Sequence, residues 1–324
     1  MTRPRIVLPA LLILGVATPI SATTLHVPSE YATIKAATTA AVAGDTVEVA
    51  CGTYYEDGIP VNAGVVLRSS TGDPSCVTIN WQGNLGANPV LSCTGDSATV
   101  VEGLTIEGGH GDPDGGGMVC SGSIIVSRCN FTGNYALGSG GAVNIVDGSP
   151  TFLDCEFINN SAFGGGAISG WDSNAAYYRC KFQNNQAFDA IGGAVVADGA
   201  FFDCSFTDNI SGAGGAAIWG HSVRMERCLV ARNENENNIG VLPEGAVRAS
   251  NLLAVNCIFY DNIVVSFAPE SPIGTAITAS NGSIVDCIII GGPCIEQCGT
   301  VVYSPTPENL MIECSNIWSA FQDA

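Results

Sequence analysis

A cysteine recurs at nearly constant spacing through most of this chain, and this repeat strongly limits the folds that are open to it. Eight cysteines follow one another at intervals of 24 to 30 residues: Cys129, Cys155, Cys180, Cys204, Cys228, Cys257, Cys287 and Cys314. Repeats of this length are typical of solenoids and repeat arrays. Each unit has room for two or three short strands between Gly and Asn residues, but not for a helix of ordinary length. Because one such unit cannot bury its own apolar face, we expect successive units to stack as turns of a parallel β-helix.

Two further residue types recur at fixed distances from the cysteine, and stacking would align them in columns about 4.8 Å apart from turn to turn. The aromatic residue two positions later predicts an inward stack of Phe131, Phe157, Phe182, Phe206 and Phe259. The amide five positions later predicts a hydrogen-bonded ladder at a bend that tolerates left-handed backbone, formed by Asn134, Asn160, Asn185, Asn209, Asn233 and Asn262. The outward residue before the cysteine alternates in charge, which places opposite charges side by side: Arg128, Asp154, Arg179, Asp203 and Arg227.

The segment before these repeats is predicted to begin the solenoid. From Ser29 an amphipathic pattern places Tyr31, Ile34, Ala37 and Ala41 on one face and stops at Gly44, which indicates a short helix over the open end of the core. We therefore expect one all-β domain over residues 23–324. It comprises a cap and first strand at 23–60, early turns at 61–123, and turns with the cysteine and asparagine ladders at 124–324.

Two parts of the chain resemble known families. The Phe-x-x-Asn units, with Gly-Gly-Ala-aliphatic steps between them, resemble over about residues 108–300 the polymorphic outer membrane protein repeat of bacterial surface adhesins. The segment from Tyr31-Ala-Thr-Ile34 through Gly44-Asp45-Thr-Val47 to Val65-Val66-Leu67 looks like the N-terminal cap of the pectate-lyase-like superfamily. This resemblance implies a right-handed parallel β-helix with a short N-terminal capping helix, and an exported protein. The superfamily includes lyases, polygalacturonases, esterases and epimerases as well as adhesins without catalysis.

The N-terminus has the three-part pattern of a secretory signal peptide, residues 1–22. Two arginines in Met1–Arg5 precede an apolar stretch at Ile6–Val16, and small residues end at Ala22, where we predict cleavage. All 14 cysteines follow that point, so an extracellular location would permit disulfides. Cys51 with Cys76 and Cys294 with Cys298 are the predicted pairs, whereas the ladder cysteines could be bonded or buried as small hydrophobic residues.

The charge and hydropathy of the chain limit the classes of molecule that it is expected to bind. With 11 basic and 30 acidic residues the formal charge is −19, which argues against nucleic acid or an anionic membrane as a partner, because phosphate groups are neutralised by Lys and Arg. No stretch after the predicted leader is apolar enough for a transmembrane helix. We expect a secreted or cell-surface monomer whose partner is an extracellular polysaccharide or a surface protein.

Residues that could carry catalysis are few, and no catalytic residue is assigned. A pectate-lyase-like reaction needs a strong base beside Ca²⁺, and Lys35 and Lys181 both have structural interpretations, one on the predicted helix and one beside Glu156. Gly109-His110-Gly111 is similar to the Gly-His-Gly motif of polygalacturonases, but the Asn-Thr-Asp and Asp-Asp signatures that accompany that motif are absent. Asp112 and Asp114 could bind Ca²⁺ or form an ordinary solvated turn. No other cofactor is expected.

Aromatic side chains offer the best candidate for recognition. Trp171, Trp219 and His221 follow the Gly-Ala-aliphatic steps at positions whose parity points away from the core, as do Ser169 and Arg248. Sugars stack on exposed aromatic rings, so Trp171, Trp219 and His221 with Asp172 and Arg248 form a candidate saccharide platform. The sequence thus favours an extracellular binding or adhesion module for glycans. The alternatives are a polysaccharide lyase or glycoside hydrolase, and a purely structural surface component.

Overall fold

The computed structural model describes residues 21–81, 88–236, 244–264, 276–291, 302–304, 309–313 and 316–318. These residues form a parallel β-solenoid of about ten turns with one short helix, so the prediction of an all-β solenoid is confirmed. The predicted leader is described only at its last two residues, and Cys294 and Cys298 lie outside the described residues.

The first face of the solenoid is a sheet of 17 strands in the described part of the chain. The first two turns contribute one short strand each to it, and the next four contribute two. From Ile168 to Val285 the two fuse into one long strand per turn that rounds the corner between them. The strands are Thr24–Val27, Thr46–Val49, Ile59–Val61, Val66–Ser69, Leu91–Gly95, Val100–Glu102, Met118–Gly122, Ile125–Ser127, Val143–Asp147, Thr151–Leu153, Ile168–Tyr178, Val195–Phe202, Ile218–Glu226, Val247–Val255, Ile277–Val285, Val302–Tyr303 and Leu310–Glu313.

Two narrower faces complete each turn and together form the other sheet. The second face follows the cysteine column, and its strands are Gly52–Tyr55, Val77–Asn80, Thr105–Glu107, Asn130–Thr132, Glu156–Ile158, Lys181–Gln183, Ser205–Thr207, Leu229–Ala231, Ile258–Val264, Ile288–Gly291 and Asn316–Trp318. The third face follows the asparagine column, and its strands are His110–Gly111, Tyr135–Ala136, Ser161–Ala162, Gln186–Ala187, Ile210–Ser211 and Glu234–Asn235.

The predicted aromatic column lies in the core. Phe131, Phe157, Phe182 and Phe206 pair in register, and their rings stack with centroids 5.1, 4.8 and 4.7 Å apart. Val230 occupies the next turn before Phe259 resumes the column. A second column, which the sequence analysis did not identify, runs beside the first and meets it edge to face: Phe152, Tyr177 and Phe201.

The asparagine ladder is also confirmed, with one correction. Asn185 accepts from the backbone N–H of Asn160 at 3.0 Å and from its side-chain Nδ2 at 3.0 Å, and donates through its own Nδ2 to the carbonyl oxygen of Phe157 at 2.9 Å and to Oδ1 of Asn209 at 2.9 Å. The same pattern repeats along the column. The left-handed backbone, however, lies one residue before each ladder amide, at Asn159, Asn184, Asp208, Arg232 and Asp261, with φ between 53° and 59°. The ladder asparagines therefore form hydrogen bonds to backbone N–H and carbonyl groups at the bend, while the preceding residue adopts the left-handed conformation.

The described cysteines form one disulfide bond and a column of buried thiols. Cys51 and Cys76 form the predicted disulfide. Cys129, Cys155, Cys180, Cys204, Cys228 and Cys257 are free and buried, as are Cys93 and Cys120, and Cys287 continues the buried column. Burial raises the pKa of the Cys120 thiol to about 12, so this sulfur is a small apolar group and not a nucleophile.

The residues before the ladder cysteines form two of the predicted pairs of opposite charge, whereas the Arg128 guanidinium pairs with Glu102. Arg179 makes a bidentate pair with Asp154 at 2.6 and 2.8 Å, and Arg227 does the same with Asp203 at 2.7 and 2.9 Å. Each arginine lowers the pKa of its aspartate partner through these hydrogen bonds. Both pairs are largely exposed to solvent and are therefore worth little individually.

The one helix in the described residues spans Ile34–Ala40, so it begins later than the pattern from Ser29 suggested. The Thr33 side chain accepts from the Ala36 N–H as the N-cap, and the Glu56 carboxylate accepts from the N–H groups of Ile34 and Lys35, both at 2.8 Å. These contacts fix the start of the helix after Tyr31. Its buried residues Ile34 and Ala37 join the core of the first turns.

Candidate functional site

The predicted recognition residues lie on the early part of long first-face strands. Trp171 belongs to Ile168–Tyr178, Trp219 and His221 belong to Ile218–Glu226, and Arg248 is the second residue of Val247–Val255. Ile218 and Val247, which immediately precede Trp219 and Arg248, and Ile168, three residues before Trp171, point into the core and are fully buried. Trp171 is 49% exposed and His221 is also exposed, so the parity argument is correct for these rings. Ser169 has the same parity but is buried, which corrects that part of the interpretation.

Three rings form one group, here called the aromatic cluster: Trp171, Trp219 and His221. The two indole centroids are 5.1 Å apart with 57° between the ring planes. The imidazole of His221 lies 5.4 Å from Trp219 at 79°, and 6.4 Å from Trp171. The rings are therefore tilted against one another, and they form a corner instead of a flat platform.

A break in strand register brings these rings together. Trp219 pairs with Val196 and with Arg248, and Val196 pairs with Ser169, so the regular partner of Trp219 two turns earlier is Ser169 and not Trp171. Pairing shifts between Gly170 and Asn174, and the Ser173 hydroxyl donates to the Gly170 carbonyl at 2.8 Å inside that irregular segment. Trp171 thus stands out of register and reaches across the intervening turn. Val196, Ala197 and Asp198 of that turn line the notch between the rings.

Glu244 is a member of the site that the sequence analysis missed. Its Oε2 accepts from the Trp219 indole N–H at 3.2 Å, and its Oε1 pairs with the Arg248 Nε at 3.0 Å. The Arg248 guanidinium in turn lies over the Trp219 ring, 4.7 Å from the centroid. Burial raises the pKa of Glu244 above its ordinary value, and Arg248 opposes that rise. One signal was available, because Glu244 precedes a Gly-Ala step at which other units have a glycine: Gly140, Gly165, Gly192 and Gly214.

A second carboxylate supports the strand that carries His221. Oδ1 of Asp198 accepts from the backbone N–H groups of His221 at 2.6 Å and Ser222 at 2.9 Å. Asp172, the fifth predicted residue, follows Trp171 in the same strand, and its side chain lies outside the described part of the structure.

The candidate calcium ligands lie in the loop before Met118–Gly122, toward the same face. Oδ1 of Asp114 accepts from the Ser139 N–H at 2.6 Å, which ties the loop to the next turn. Asp114 also lines a groove of about 370 Å³ with Asn144 and Trp171. In the described ranges no three His, Cys, Asp or Glu side chains gather as a metal site, and Ca²⁺ at Asp112 and Asp114 stays a prediction.

The residues weighed for catalysis are dispersed over the molecule. The Lys35 ammonium donates to the Asp57 carbonyl at 3.1 Å, and Lys181 pairs in register with Glu156 on the second face. His110 packs between Trp81 and Tyr135, with ring centroids at 5.4 and 5.2 Å. The structure does not bring these side chains to the aromatic cluster.

The comparisons with known proteins concern the repeat and the fold. A family model described as the Chlamydia polymorphic membrane protein repeat matches residues 203–221, a segment that includes Trp219 and His221. The resemblance to that repeat is therefore confirmed. No curated protein sequence matches the chain. Among the described residues, no helix is long and apolar enough to cross a membrane.

Two solved structures are similar to this chain. One is the catalytic domain of a GH87 alpha-1,3-glucanase in complex with nigerose, at 11% identity and a TM-score of 0.43, over 95% of this chain and 67% of that one. The other is a mutant of the PL6 family alginate lyase AlyGC, at 13% identity and a TM-score of 0.40, over 89% of this chain. This chain spans 50% of the length of that lyase.

Proposed function

We propose that this protein is an exported β-solenoid that binds extracellular saccharides, as a glycan-binding or adhesion module, through its aromatic cluster. One observation carries the proposal. Trp171 leaves the regular register and packs against Trp219 and His221, although it remains 49% exposed. An apolar ring that is held in place and left half open to solvent is suited to stacking on a ligand.

The geometry favours a sugar ring over a purely apolar ligand. The C–H face of a pyranose packs on an indole, while its hydroxyls need hydrogen-bonding partners at the edge of the ring. Arg248 and Glu244 lie beside Trp219 and supply charged groups of both signs. The notch between the indoles is narrow, so the sugar ring would stack on the exposed side of Trp171.

Export and surface location belong to the same proposal. The leader at residues 1–22, the Cys51–Cys76 disulfide and the match to a polymorphic membrane protein repeat support it. We take the solenoid to be right-handed, as the resemblance to the pectate-lyase-like superfamily implies. We also take the helix Ile34–Ala40 to be the cap of the core, because its buried residues pack on the first turns. The charge of −19 argues against nucleic acid as a partner, and we propose that the protein acts as a monomer.

The test is retention on a panel of neutral and acidic polysaccharides, with and without Ca²⁺, using protein that begins at Thr23. We expect at least one glycan to retain the protein. The double variant Trp171→Ala, Trp219→Ala should weaken that binding by roughly tenfold or more, because stacking contacts of this kind dominate binding energy. Far-ultraviolet circular dichroism should show that the variant keeps its β-structure.

Tyr55→Ala is the matched control, since Tyr55 is an aromatic residue that is 57% exposed on a distant turn. It should leave retention unchanged. Release of reducing ends or of unsaturated product from any glycan would replace the binding proposal with a polysaccharide lyase or hydrolase. No retention and no product would leave the structural surface component as the better account.

A further inference from the structure

The residue that follows the predicted leader is held by a single carboxylate. The backbone nitrogen of Thr23 donates to Oδ1 of Asp45 at 2.9 Å, and the Thr23 hydroxyl donates to the same oxygen at 2.8 Å. The other carboxylate oxygen accepts from the Val42 N–H at 2.9 Å. Just beyond this contact, the Thr23 carbonyl accepts from the Thr46 N–H at 2.8 Å, where Thr24–Val27 begins to pair with Thr46–Val49. Asp45 thus holds the start of the first strand.

The environment of Asp45 is suited to a positive charge. The residue is only 5% exposed, and hydrogen bonds from Val42 and Thr23 lower the pKa of its carboxyl. Within the described ranges no basic side chain pairs with it. Charged groups on the neighbouring strands pair on the outer surface, where Nδ1 of His26 lies 3.5 Å and the Arg68 guanidinium 2.8 Å from the Glu48 carboxylate. The Asp45 carboxylate is therefore ionised and balanced only by neutral donors.

We propose that cleavage between Ala22 and Thr23 creates the missing positive charge, and that Asp45 is the binding site for the processed N-terminus. Hydrolysis by a signal peptidase breaks the Ala22–Thr23 peptide bond with one water, leaving a carboxylate on Ala22 and an amine on Thr23. That amine takes up a proton below its usual pKa of about 8. The nitrogen that donates a neutral hydrogen bond in the precursor becomes an ammonium facing Asp45, and such charge-assisted bonds are the stronger kind.

This inference rests on the proposed export, and it adds a consequence for the fold. The first strand is bound to the solenoid more tightly after processing than before it, because only the mature chain has the ion pair. Ser21 and Ala22 are exposed, so a cleavage site beside Thr23 is accessible. If cleavage fell elsewhere, the new ammonium would be displaced from the carboxylate by at least one residue.

The first experiment determines the N-terminus of the exported protein by mass spectrometry. We expect Thr23, and any other first residue overturns the assignment. The second compares three purified proteins: one that begins with free Thr23, one with Thr23 acetylated, and one that retains Ala22. In the first, the pKa of the terminal amine, followed by NMR of the methylated amine, should lie above about 8, and in the Ala22 protein it should not.

Hydrogen exchange gives an independent reading of the same contact. The Thr46 amide should exchange roughly threefold to tenfold faster in the acetylated and Ala22 proteins than in the free Thr23 protein. The Thr151 amide, which donates to Ile124 at 2.9 Å in a distant turn, is the internal control and should not change. Asp45→Asn in the Thr23 protein should raise the exchange rate of the Thr46 amide to that of the acetylated protein. If that variant does not fold, the acetylated and Ala22 proteins still decide the question.

Equal amine pKa values in the Thr23 and Ala22 proteins, together with equal Thr46 exchange in all three proteins, would overturn the proposal. Its failure can be told apart from failure of the proposed function. Saccharide retention depends on Trp171 and Trp219, many turns from Thr23, and is measured separately. A protein that binds no glycan can still have the Thr23–Asp45 pair, and a glycan-binding protein can lack it.

Discussion

The interior columns and the aromatic cluster are built in opposite ways. In the columns every turn repeats the same residue type in register, so that Phe157, Phe182 and Phe206 stack almost parallel. In the aromatic cluster the register breaks after Gly170, and Trp171 reaches past one turn to contact Trp219 on the next. Repetition gives each column side chain an identical neighbour above and below, whereas departure from repetition leaves a ring partly uncovered. Stability is thus expected from the columns and binding from the cluster.

The largest expected loss of stability comes from the aromatic column. Phe182→Ala removes a fully buried ring that stacks on two phenylalanines and meets Tyr177 edge to face. We expect it to lower the free energy of unfolding by about 4 kcal/mol, because the variant loses buried apolar surface and leaves a cavity. Urea denaturation followed by circular dichroism measures the change.

Phe163→Ala is the control for that experiment, because Phe163 is 57% exposed in the adjacent turn. It should change the free energy of unfolding by no more than about 0.5 kcal/mol. Similar losses for both variants would mean that ring burial in the column is not what stabilises the solenoid.

A somewhat smaller loss is expected from the asparagine ladder. Asn185→Ala removes the hydrogen bonds that connect Asn160, Phe157 and Asn209, and leaves buried donors and acceptors without partners. The cost should be about 3 kcal/mol in the same assay, since each buried unsatisfied polar group costs about 1 to 3 kcal/mol. Asn130→Ala, at an outward position on the second face, should have almost no effect. A ladder variant as stable as this control would contradict the interpretation.

The smallest effect on stability is expected in the cluster, where the change is electrostatic. Arg248→Met removes the guanidinium that lowers the pKa of Glu244, so burial should raise that pKa further. A raised carboxyl pKa means that the folded state binds more protons, so stability falls as pH rises from the ordinary value to the folded-state value. Because the folded-state pKa of Glu244 is higher in the variant, its free energy of unfolding should keep falling up to a higher pH than in the parent protein.

Titration of the Glu244 carboxyl by carbon NMR measures the shift directly. Arg68→Met is the matched control, since Arg68 pairs with Glu48 on an early turn, and it should leave the pKa of Glu244 unchanged. A Glu244 pKa that falls or stays the same in Arg248→Met would show that Arg248 is not the group that keeps this carboxylate charged.

Features that repeat were predictable, and features that depend on one turn were not. The cysteine, phenylalanine and asparagine columns follow from spacing, because identical units that stack must superimpose. The column of Phe152, Tyr177 and Phe201 also has a constant spacing, three positions before a ladder cysteine, but it was missed because the residue type there varies, with Val126 and Met225 at the same position in neighbouring turns. The outward parity of Trp171 and Trp219 could be predicted from strand alternation, but the buried state of Ser169 could not, because it depends on which neighbours cover it.

The sequence by itself determined the architecture and its chemical character: a parallel solenoid with apolar columns, an amide ladder, outward charge pairs and the Cys51–Cys76 bond. These features follow from the repeat spacing, and the spacing is visible in the sequence alone. Only the tertiary structure decided that Trp171 meets Trp219, that Glu244 joins Trp219 to Arg248, and that Asp45 holds Thr23. Apart from the Glu244–Arg248 pair, which is four residues apart, each of these contacts joins residues more than 20 positions apart, so it depends on how particular turns pack and not on what the turns share.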